Sequence, residues 1–497
     1  MAAGASRATA RWMTGGLIAV ATLLLAGERA AGQAIAEADL ATALDSYVKK
    51  PDPSYAWKVE NTFPGNPSQT YVINLTSQTW RSPSEVDKPV WQHWLTVVKP
   101  NTLKTDKLFL LVSGGANDRP APDKPNQIIA QIAQATGSMV AELKMIPNQP
   151  IVFHGDGVPR KEDDLIAYCW DQFLDTGDPT WLPRLPMVKS VVKAMDCLQE
   201  WSKQEGAPVA KFVVAGGSKR GWTTWMTGVA DPRVEAIVPI VIDVLNVDES
   251  IRHHGAAYGF WAKALGNYVQ HGIVQRPDHP RMQDLHRVED PFSYRERLGL
   301  PKYIVNGSGD QFFLPDSSRF YYDELPGEKH IRYVPNTDHG VDNSFDAVTS
   351  IVAFYQMVIA GTPRPNPEWT FGDGGSIRVT SAVKPQSVTL WQAHNPEGRD
   401  FRVDTIGKTW TSTALEAGAD GAWVGKPKPP ASGWTAAFIE LAYDSGGLFP
   451  FKVSTEVNVT PDTLPFDGVD QKTLPWEGEP GFVRPPLPKV SAAKAGG

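Results

Sequence analysis

The sequence has few cysteines for its length. Its 497 residues include two, Cys169 and Cys197. In an oxidising compartment they could form one disulfide, but a chain of this size does not need one for stability, and two buried free thiols are an equal alternative. Histidines and cysteines do not cluster at zinc-ligand spacing, and the His253-His254 doublet stands apart from any further ligand. We therefore expect no metal site and no cofactor.

The chain also lacks an excess of positive charge. Its 48 Lys and Arg residues stand against 55 Asp and Glu residues, which gives a net charge of −7. Such a charge repels the phosphate backbone, so nucleic acid is not an expected partner. Hydrophobic residues make up 41% of the chain and charged residues 21%, values of an ordinary globular protein rather than a disordered or fibrous one.

Long apolar runs are missing beyond the N-terminus. Residues 1–33 place Arg7 and Arg11 before an apolar stretch at 17–27, with small residues at 30–32. This pattern is typical of a secretory signal peptide. The apolar stretch is short for a membrane span, so an uncleaved anchor is the less favoured alternative. The sequence predicts a periplasmic or extracellular protein with no integral membrane span after signal cleavage.

The sequence does contain a regular alternation of short apolar runs and helical patterns. The apolar runs lie at 108–113, 137–143, 211–215, 236–242 and 302–306. Continuous apolar strands separated by helices predict a doubly wound, mostly parallel sheet with helices on both faces. We place this α/β domain at 34–365. Within it, residues 243–300 are rich in aromatic and charged residues and are predicted to form a helical insert or lid.

The last part of the chain has a different pattern. Beyond about residue 361 the helical patterns stop, and short strands bounded by Gly, Pro and Asn are predicted at 387–392, 400–404, 436–443 and 452–459. Their spacing predicts a β-sandwich domain at 366–465. Residues 466–497 are rich in Pro and Gly, and we expect an extended tail there.

One short stretch predicts a nucleophile. The apolar run 211–215 ends in Gly216-Gly217-Ser218, and a helical pattern begins at once. This strand–turn–helix layout is that of a nucleophile elbow, which holds a serine at the tip of a sharp turn. A serine in an ordinary glycine-rich loop is the alternative, so the rest of the chain must supply a base and an acid.

Two predicted strand ends downstream supply those partners. One strand leads into a glycine-rich loop with Asp310, and a later short strand is followed by His339. The chain order Ser, Asp, His is that of an α/β-hydrolase. His339 would take the proton of Ser218, and Asp310 would orient the imidazole and stabilise its charged form. Asp316 is the second choice for the acid. Asp338 is disfavoured because it directly precedes the histidine.

The same region predicts an oxyanion hole and two charged contacts. Backbone N–H groups of Lys219, Gly115 and Ala116 would stabilise the tetrahedral intermediate. The usual elbow has a small residue two positions after the serine, but Arg220 stands there and Gly221 comes one later. Cations in the first turn of a helix oppose its dipole. We therefore expect Lys219 or Arg220 to meet an anionic group, either on a substrate or from a protein acid.

Several longer strings resemble the PhoPQ-activated pathogenicity-related family of secreted α/β-hydrolase-like proteins. The likeness runs from about residue 44 to residue 461 and includes LDSYVKKPDPSYAW from Leu44, EDDLIAYCWDQFLDTGDPTW from Glu162, GGSKRGWTTW from Gly216, GSGDQFFLPDSS from Gly307 and YVPNTDHG from Tyr333. The resemblance implies an α/β-hydrolase core with a C-terminal β-domain. It also implies a link to virulence and to resistance against membrane-active peptides. At the position of Gln311 an acid is common in the family.

Two functions from different classes are compatible with these observations. The first is a secreted or periplasmic serine hydrolase that cleaves an ester or peptide bond in a small-molecule, peptide or glycan-linked substrate. The second is a non-catalytic binding or signalling protein on the same scaffold, as the resemblance to eukaryotic members that repress cell proliferation implies. The complete set of Ser218, Asp310 and His339 in the right order favours the hydrolase.

Overall fold

The computed structural model of the chain describes residues 37–341 and 344–488. The predicted signal peptide at 1–33 and the last nine residues of the predicted tail lie outside these ranges. The strands are, in chain order, β1 (Ala56–Phe63), β2 (Ser68–Thr79), β3 (Val90–Pro100), β4 (Lys107–Val112), β5 (Met139–Leu143), β6 (Ile151–Val152), β7 (Pro159–Arg160), β8 (Lys211–Gly217), β9 (Val234–Ile240), β10 (Lys302–Gly307), β11 (Lys329–Val334), β12 (Glu368–Phe371), β13 (Ile377–Thr380), β14 (Ser387–Asn395), β15 (Thr411–Ala414), β16 (Trp423–Gly425), β17 (Trp434–Tyr443), β18 (Phe451–Ser454) and β19 (Asn458–Thr460).

Helices connect most of these strands. They are α1 (Glu37–Lys49), α2 (Gln127–Thr136), α3 (Glu162–Thr176), α4 (Arg184–Gln204), α5 (Lys219–Ala230), α6 (Val247–Tyr258), α7 (Gly266–Gln270), α8 (Met282–Glu289), α9 (Phe345–Ala360) and α10 (Val403–Ile406). Short 3₁₀ helices lie at Pro179–Trp181, Lys263–Leu265, Pro291–Arg297, Ser317–Phe320, Asp373–Gly375 and Gln471–Thr473.

One large sheet organises the first three quarters of the chain. Its strand order is β1-β2-β3-β5-β4-β8-β9-β10-β11. The first three strands and the β3–β5 pair are antiparallel. All further neighbours, from β5 and β4 to β10 and β11, are parallel. This is the mixed, mostly parallel sheet of an α/β-hydrolase, which confirms the fold class that the sequence predicted.

Helices cover both faces of this sheet, and the residue pattern of the strands follows from that. Successive side chains of a strand point to opposite faces. In β4, Leu108 and Leu110 pack into the same core as α4 and α5, whereas Phe109 packs into the core that includes α2 and α9. In β5 and β10 every residue is buried. The sequence of such a strand is a nearly continuous apolar run, because neither face of the strand contacts water.

Residues 243–300, all of which the structure describes, form helices and turns without a strand. The segment contains α6, α7, α8 and two of the short 3₁₀ helices. The Val247 N–H at the start of α6 donates to Asp290 Oδ2 at 2.8 Å, just beyond the end of α8. This bond ties the two ends of the insert together. The insert follows β9 directly and precedes β10, so it begins and ends at the parallel part of the sheet.

Two antiparallel sheets follow the last helix of the α/β region. One has the order β12-β13-β16; the other has the order β15-β14-β17-β18, and β19 also pairs with β17. The Tyr333 N–H of β11 donates to Ser454 Oγ of β18 at 3.0 Å, so the second sheet packs beside the edge of the large one. The predicted strand at 400–404 is wrong, because the chain there turns into the short helix α10 around a buried ion pair between Asp400 and Arg402.

Residues 466–488 of the predicted tail pack across the insert. The Trp261 N–H donates to the Pro475 carbonyl at 2.8 Å, and the Glu477 N–H donates back to the Trp261 carbonyl at 2.9 Å. The ring of Phe466 lies against Gly259, which ends α6 in a left-handed conformation with φ 71°. The segment has little regular structure, and these contacts fix it to the insert.

Three further findings concern thiols, metals and membranes. Cys169 and Cys197 are both buried and free. Within residues 37–341 and 344–488, no group of three or more His, Cys, Asp or Glu side chains could hold a metal ion. Over the same ranges no helix combines the length and the apolar character that a membrane crossing requires.

Replacing Gly259 by alanine tests the packing of the tail. A Cβ atom at Gly259 would lie 2.7 Å from ring atoms of Phe466, whereas one at Gly361 would meet nothing within 4 Å. Both glycines end a helix at positive φ, so each substitution costs about 1 kcal/mol of backbone strain. We expect Gly259→Ala to lose a further ~1–3 kcal/mol of unfolding free energy because the ring is displaced. Urea denaturation measures this, and equal losses in Gly259→Ala and Gly361→Ala would contradict the packing.

Candidate active site

Ser218 lies at the tip of the turn between β8 and α5, at the carboxyl end of an inner strand. Its φ and ψ are 56° and −127°. Residues other than glycine rarely adopt such a conformation, which costs of order 1–3 kcal/mol and is found mainly at functional sites. The Ser218 N–H donates to the Ile240 carbonyl of β9 at 2.8 Å, and this bond fixes the turn against the sheet. The geometry is that of a nucleophile elbow.

Two glycines let the turn close: Gly216 occupies the first glycine position of the usual elbow pattern, whereas Gly221 comes one position later than the second. A Cβ atom on Gly216 would lie 2.7 Å from the Arg220 carbonyl oxygen, and one on Gly221 would lie 2.8 Å from the Gly216 carbonyl oxygen. Both distances are too short for non-bonded atoms. The strand end and the first helical turn therefore touch only because these two residues have no side chain, and Arg220 can be large because its side chain points away from this contact.

A chain of hydrogen bonds joins Ser218, His339 and Asp310. Ser218 Oγ lies 2.8 Å from His339 Nε2, and His339 Nδ1 lies 2.8 Å from Asp310 Oδ2. The other oxygen of Asp310 accepts the Phe312 N–H at 2.7 Å. The structure thus brings together the three residues that the sequence pattern selected. Such a relay can remove a proton from the hydroxyl while it attacks a carbonyl.

The rival acids lie in other interactions. Asp316 is buried and pairs with Arg399, whose Nη2 is 2.6 Å from Asp316 Oδ2. Asp338 accepts the backbone N–H two residues further on, at 2.8 Å. Neither carboxylate hydrogen-bonds to His339, so the geometry favours Asp310.

The loop that carries His339 is held by the C-terminal part of the chain. The His339 N–H donates to Gln311 Oε1 at 2.9 Å, and Gln311 Nε2 donates to Asp404 Oδ1 at 3.2 Å. Beside it, the Val403 N–H donates to the Gly309 carbonyl at 2.9 Å. The segment around α10 therefore supports both the acid loop and the histidine loop.

The surroundings of His339 shift the pKa of its imidazole. Burial lowers the pKa of His339, but the negative charge of Asp310 and its hydrogen bond outweigh burial, so the pKa lies above its ordinary value. The positive charge of Lys219 opposes this rise. The ring of Phe312 lies 4.4 Å from the imidazole, centroid to centroid, and keeps water from that side. A base with a pKa near the working pH suits general base catalysis.

The predicted oxyanion donors belong to two segments that touch each other. The Lys219 N–H begins α5 and has no acceptor inside the helix, because the first N–H groups of a helix lack an i−4 carbonyl. The loop after β4 lies against the same turn, since a Cβ on Gly114 would be 2.6 Å from Arg220 Nη2. Gly115 has a φ of 139°. Among the described residues, the N–H groups of Gly115 and Ala116 donate to no backbone carbonyl. Their role as an oxyanion hole stays a prediction.

Protein carboxylates pair with both cations of the first turn. Lys219 Nζ lies 2.9 Å from Glu162 Oε2 and 3.4 Å from Asp163 Oδ2. Arg220 Nη2 lies 2.7 Å from Glu162 Oε1, and Arg220 Nε donates to the Ile146 carbonyl. Of the two anionic partners that the sequence allowed, the structure supplies the protein acid, so a substrate anion is not needed to balance Lys219 or Arg220.

A cavity of about 110 Å³ opens at Ser218. The ends of the parallel strands and the helices of the insert form its wall, and most of the lining side chains are apolar. They include Trp170, Trp222, Ile251, Leu265, Tyr268 and Phe313. A cavity of comparable size in another protein holds one small aromatic molecule. The cavity therefore suits a short group rather than a long chain, and the insert covers it.

The family assignment rests on comparison of the whole chain. A model of the family described as PhoPQ-activated pathogenicity-related protein matches residues 44–402. The chain belongs to this family. The Autocrine proliferation repressor protein A of Dictyostelium discoideum is 40% identical to it over 468 residues, which cover 88% of this chain and 94% of that protein.

Solved structures similar to this family member include an esterase and a peptidase. Acetyl xylan esterase 1 from Thermoanaerobacterium sp. JW/SL YS485 is 15% identical, with a TM-score of 0.46, and the match covers 64% of this chain and 93% of that one. An acylaminoacyl peptidase of Pyrococcus horikoshii is 12% identical, with a TM-score of 0.39, and the match covers 62% of this chain and 50% of that one. At these values the likeness says nothing about the reaction of the family member.

Sequence reasoning missed two polar residues that support the site. Glu162 has a φ of 53° and pairs with both Lys219 and Arg220; its signal was the acidic run at the start of a predicted helix, opposite an elbow with two unpaired cations. Gln311 stands where an acid is common in the family, so the family pattern did not indicate a role for it. Its amide nevertheless accepts the backbone N–H of His339.

A third missed residue, Asp243, lies in the wall of the cavity just after β9. It is 2% exposed, and its two oxygens accept the hydroxyl groups of Tyr321 at 2.6 Å and Tyr333 at 2.7 Å. Burial raises its pKa to about 8, against the effect of the two hydrogen bonds. The sequence signal was an aspartate directly after a buried parallel strand, where polar groups of α/β folds collect.

Glu162→Gln is expected to reduce the loss of stability in acid. Burial would raise the pKa of Glu162, but Arg220 and Lys219 lower it from 4.5 to about 2. The carboxylate therefore stabilises the fold above pH 4.5, and this contribution disappears as the pH falls toward 2. The unfolding free energy should fall less steeply over this range in Glu162→Gln than in the wild type. Glu416→Gln, at an exposed position, is the control, and equal slopes for Glu162→Gln and the wild type would contradict the ion-pair role.

Proposed function

We propose that this protein is a serine hydrolase that acts outside the cytoplasm on ester or peptide bonds, with esters as the first class to test. The observation that supports the proposal is the unbroken chain of hydrogen bonds from Ser218 through His339 to Asp310. This chain of hydrogen bonds starts at Ser218, which has a strained backbone conformation and lies in the wall of a cavity. The predicted signal peptide at 1–33 supports the location.

The proposed reaction proceeds in two stages. Ser218 Oγ attacks the substrate carbonyl while His339 Nε2 takes the hydroxyl proton, and Asp310 stabilises the imidazolium. The N–H groups of Lys219, Gly115 and Ala116 bind the oxyanion of the tetrahedral intermediate. His339 then gives its proton to the leaving alcohol or amine, which leaves an acyl-enzyme. A water molecule, deprotonated by the same histidine, hydrolyses it and frees the acid.

A second candidate follows from the Dictyostelium relative, whose name describes a repressor of proliferation. In that case the chain is a signalling protein that binds a partner. The hydrolase scaffold then provides a binding surface and catalyses no reaction. The strained φ of Ser218 favours the hydrolase, because a scaffold without chemistry has no reason to retain that cost. The family name describes its members as related to pathogenicity, and a role in pathogenicity is part of this proposal.

Hydrolysis of phenyl acetate by the wild type and three variants tests the relay. Ser218→Ala and His339→Ala are each expected to abolish turnover. Asp310→Asn keeps the shape but removes the charge that holds the imidazole, so we expect its kcat to fall by about 10⁴-fold. Asp338→Asn, adjacent to the histidine but outside the relay, should retain activity. Full turnover in a folded Ser218→Ala variant would show that the hydrolysis occurs elsewhere.

The pH dependence of the reaction should follow the ionisation of His339. Because the ring must be neutral to accept a proton, and its pKa lies above 6.5, kcat/KM should fall as the pH drops through a midpoint above 6.5. In Ser218→Ala the imidazole should titrate above 6.5 by NMR, and the added change Asp310→Asn should lower that pKa. A titration unaffected by Asp310→Asn would rule out the assigned pairing.

A further inference from the structure

Arg184 lies in the wall of the cavity that contains Ser218, and two of its donor nitrogens are unpaired among the described residues. Its side chain is 1% exposed. Its Nε and Nη1 atoms have no hydrogen-bond partner in the described part of the chain. Buried guanidinium donors without acceptors are costly, because they have lost water and gained nothing in exchange. A ligand that supplies the missing acceptors is one explanation for such donors.

The nearby carboxylate of Glu289 does not supply it. Arg184 Nε and Glu289 Oε2 are 3.9 Å apart, which is too long for a hydrogen bond. Both oxygens of Glu289 already have donors: Oε1 accepts the backbone N–H of Arg184 at 3.1 Å, and Oε2 accepts Trp170 Nε1 at 2.8 Å. Burial also raises the pKa of Glu289, against the effect of Arg184, which weakens its negative charge further.

The other charged groups of the cavity wall are occupied. Lys219 pairs with two carboxylates, one of which is Asp163. Asp248 lies 3.1 Å from His286 Nδ1. Asp243 accepts two tyrosine hydroxyl groups. In the described part of the chain, Arg184 is thus a cavity-lining cation that has two donor nitrogens without an acceptor.

The position of Arg184 relative to Ser218 is set by Trp222. The Trp222 N–H donates to the Ser218 carbonyl at 3.0 Å, so the indole lies one helical turn beyond the serine. The guanidinium carbon of Arg184 lies 4.6 Å from the centroid of that indole ring. Ser218, Trp222 and Arg184 line the same cavity, so a short substrate group held at Ser218 shares that cavity with the guanidinium.

We infer that Arg184 binds a terminal carboxylate on the acyl part of the substrate, so that the protein acts on esters of short dicarboxylic acids. The inference rests on the proposed function of the same site. A guanidinium offers two parallel N–H groups to a planar carboxylate, and the charged pair is strong when water is excluded. The acyl part remains attached to Ser218 after the alcohol has left, and the cavity of about 110 Å³ has room for a chain of a few carbons.

The test compares an acid with its neutral isostere. Monomethyl succinate, glutarate and adipate are each paired with the methyl ester in which a primary amide replaces the free carboxylate, and methanol release is followed by NMR. For at least one chain length, the wild type should prefer the acid by about 30-fold or more in kcat/KM. Arg184→Met should bring the ratio of acid to amide close to one, and Arg184→Lys should retain part of it. A ratio does not depend on the fraction of folded protein.

The wild-type measurements alone can overturn the inference. Equal or better hydrolysis of the amides at all three lengths, together with turnover of phenyl acetate, would contradict the carboxylate site. It would leave the proposed hydrolase function supported. A preference for the acid that persists in a folded Arg184→Met variant would also overturn the assignment to Arg184. If neither the acids, the amides nor phenyl acetate are hydrolysed, the proposed function fails and this inference with it.

Discussion

The candidate site depends on a close backbone contact between the end of β8 and the first turn of α5. That contact exists because Gly216 and Gly221 have no side chain, and it forces Ser218 into a conformation with φ 56°. The same turn points the first N–H groups of α5 toward the site and exposes Lys219 and Arg220 to the unfavourable end of the helix dipole. Glu162, which lies 58 residues before Arg220 in the chain, offsets both cations.

The base and the acid depend on parts of the chain that contain no candidate catalytic group. Buried ion pairs fix the segment around α10, which supports the base and the acid. Arg399 pairs with Asp316, and Arg402 pairs with Asp400 and with Glu477 of the tail. Removing one partner of such a buried pair leaves an uncompensated charge, which costs far more than the pair contributes. The segment around α10, which Arg402 ties to the tail, therefore supports the loops of Asp310 and His339, and the α/β region alone would lack this support.

The parts of the fold and of the candidate site that could be predicted from the sequence are those whose pattern lies within a short stretch of the chain. The strand, glycines and helix around Ser218 lie within a few residues, and the parallel strands read as continuous apolar runs because both their faces are buried. The predicted strand at 400–404 failed because alternating apolar residues there, Phe401 and Val403, lie in a turn stabilised by Asp400 and Arg402, an ion pair that no strand pattern reveals.

Most contacts between distant segments, outside the relay of Ser218, His339 and Asp310, could not be predicted. Glu162 meets Arg220 across 58 residues, and an acidic run and a cationic turn so far apart in the chain do not identify each other as partners. Arg184 carries no local signal at all, since an arginine at the start of an amphipathic helix is ordinarily solvated; the insert and Trp222 bury it only in the folded chain. The order of the catalytic residues along the chain could therefore be predicted from the sequence. The ion pairs and buried charges around them could not, because they depend on the tertiary structure.

The most direct measurement of the central claim is covalent labelling of the folded protein by a small fluorophosphonate, with the modified residue located by peptide mass spectrometry. Such reagents react with a serine only when a neighbouring base activates its hydroxyl. The account predicts modification of Ser218 in the wild type, none in urea, and none in His339→Ala. A folded wild type that stays unmodified, or that is modified at another serine, would contradict it.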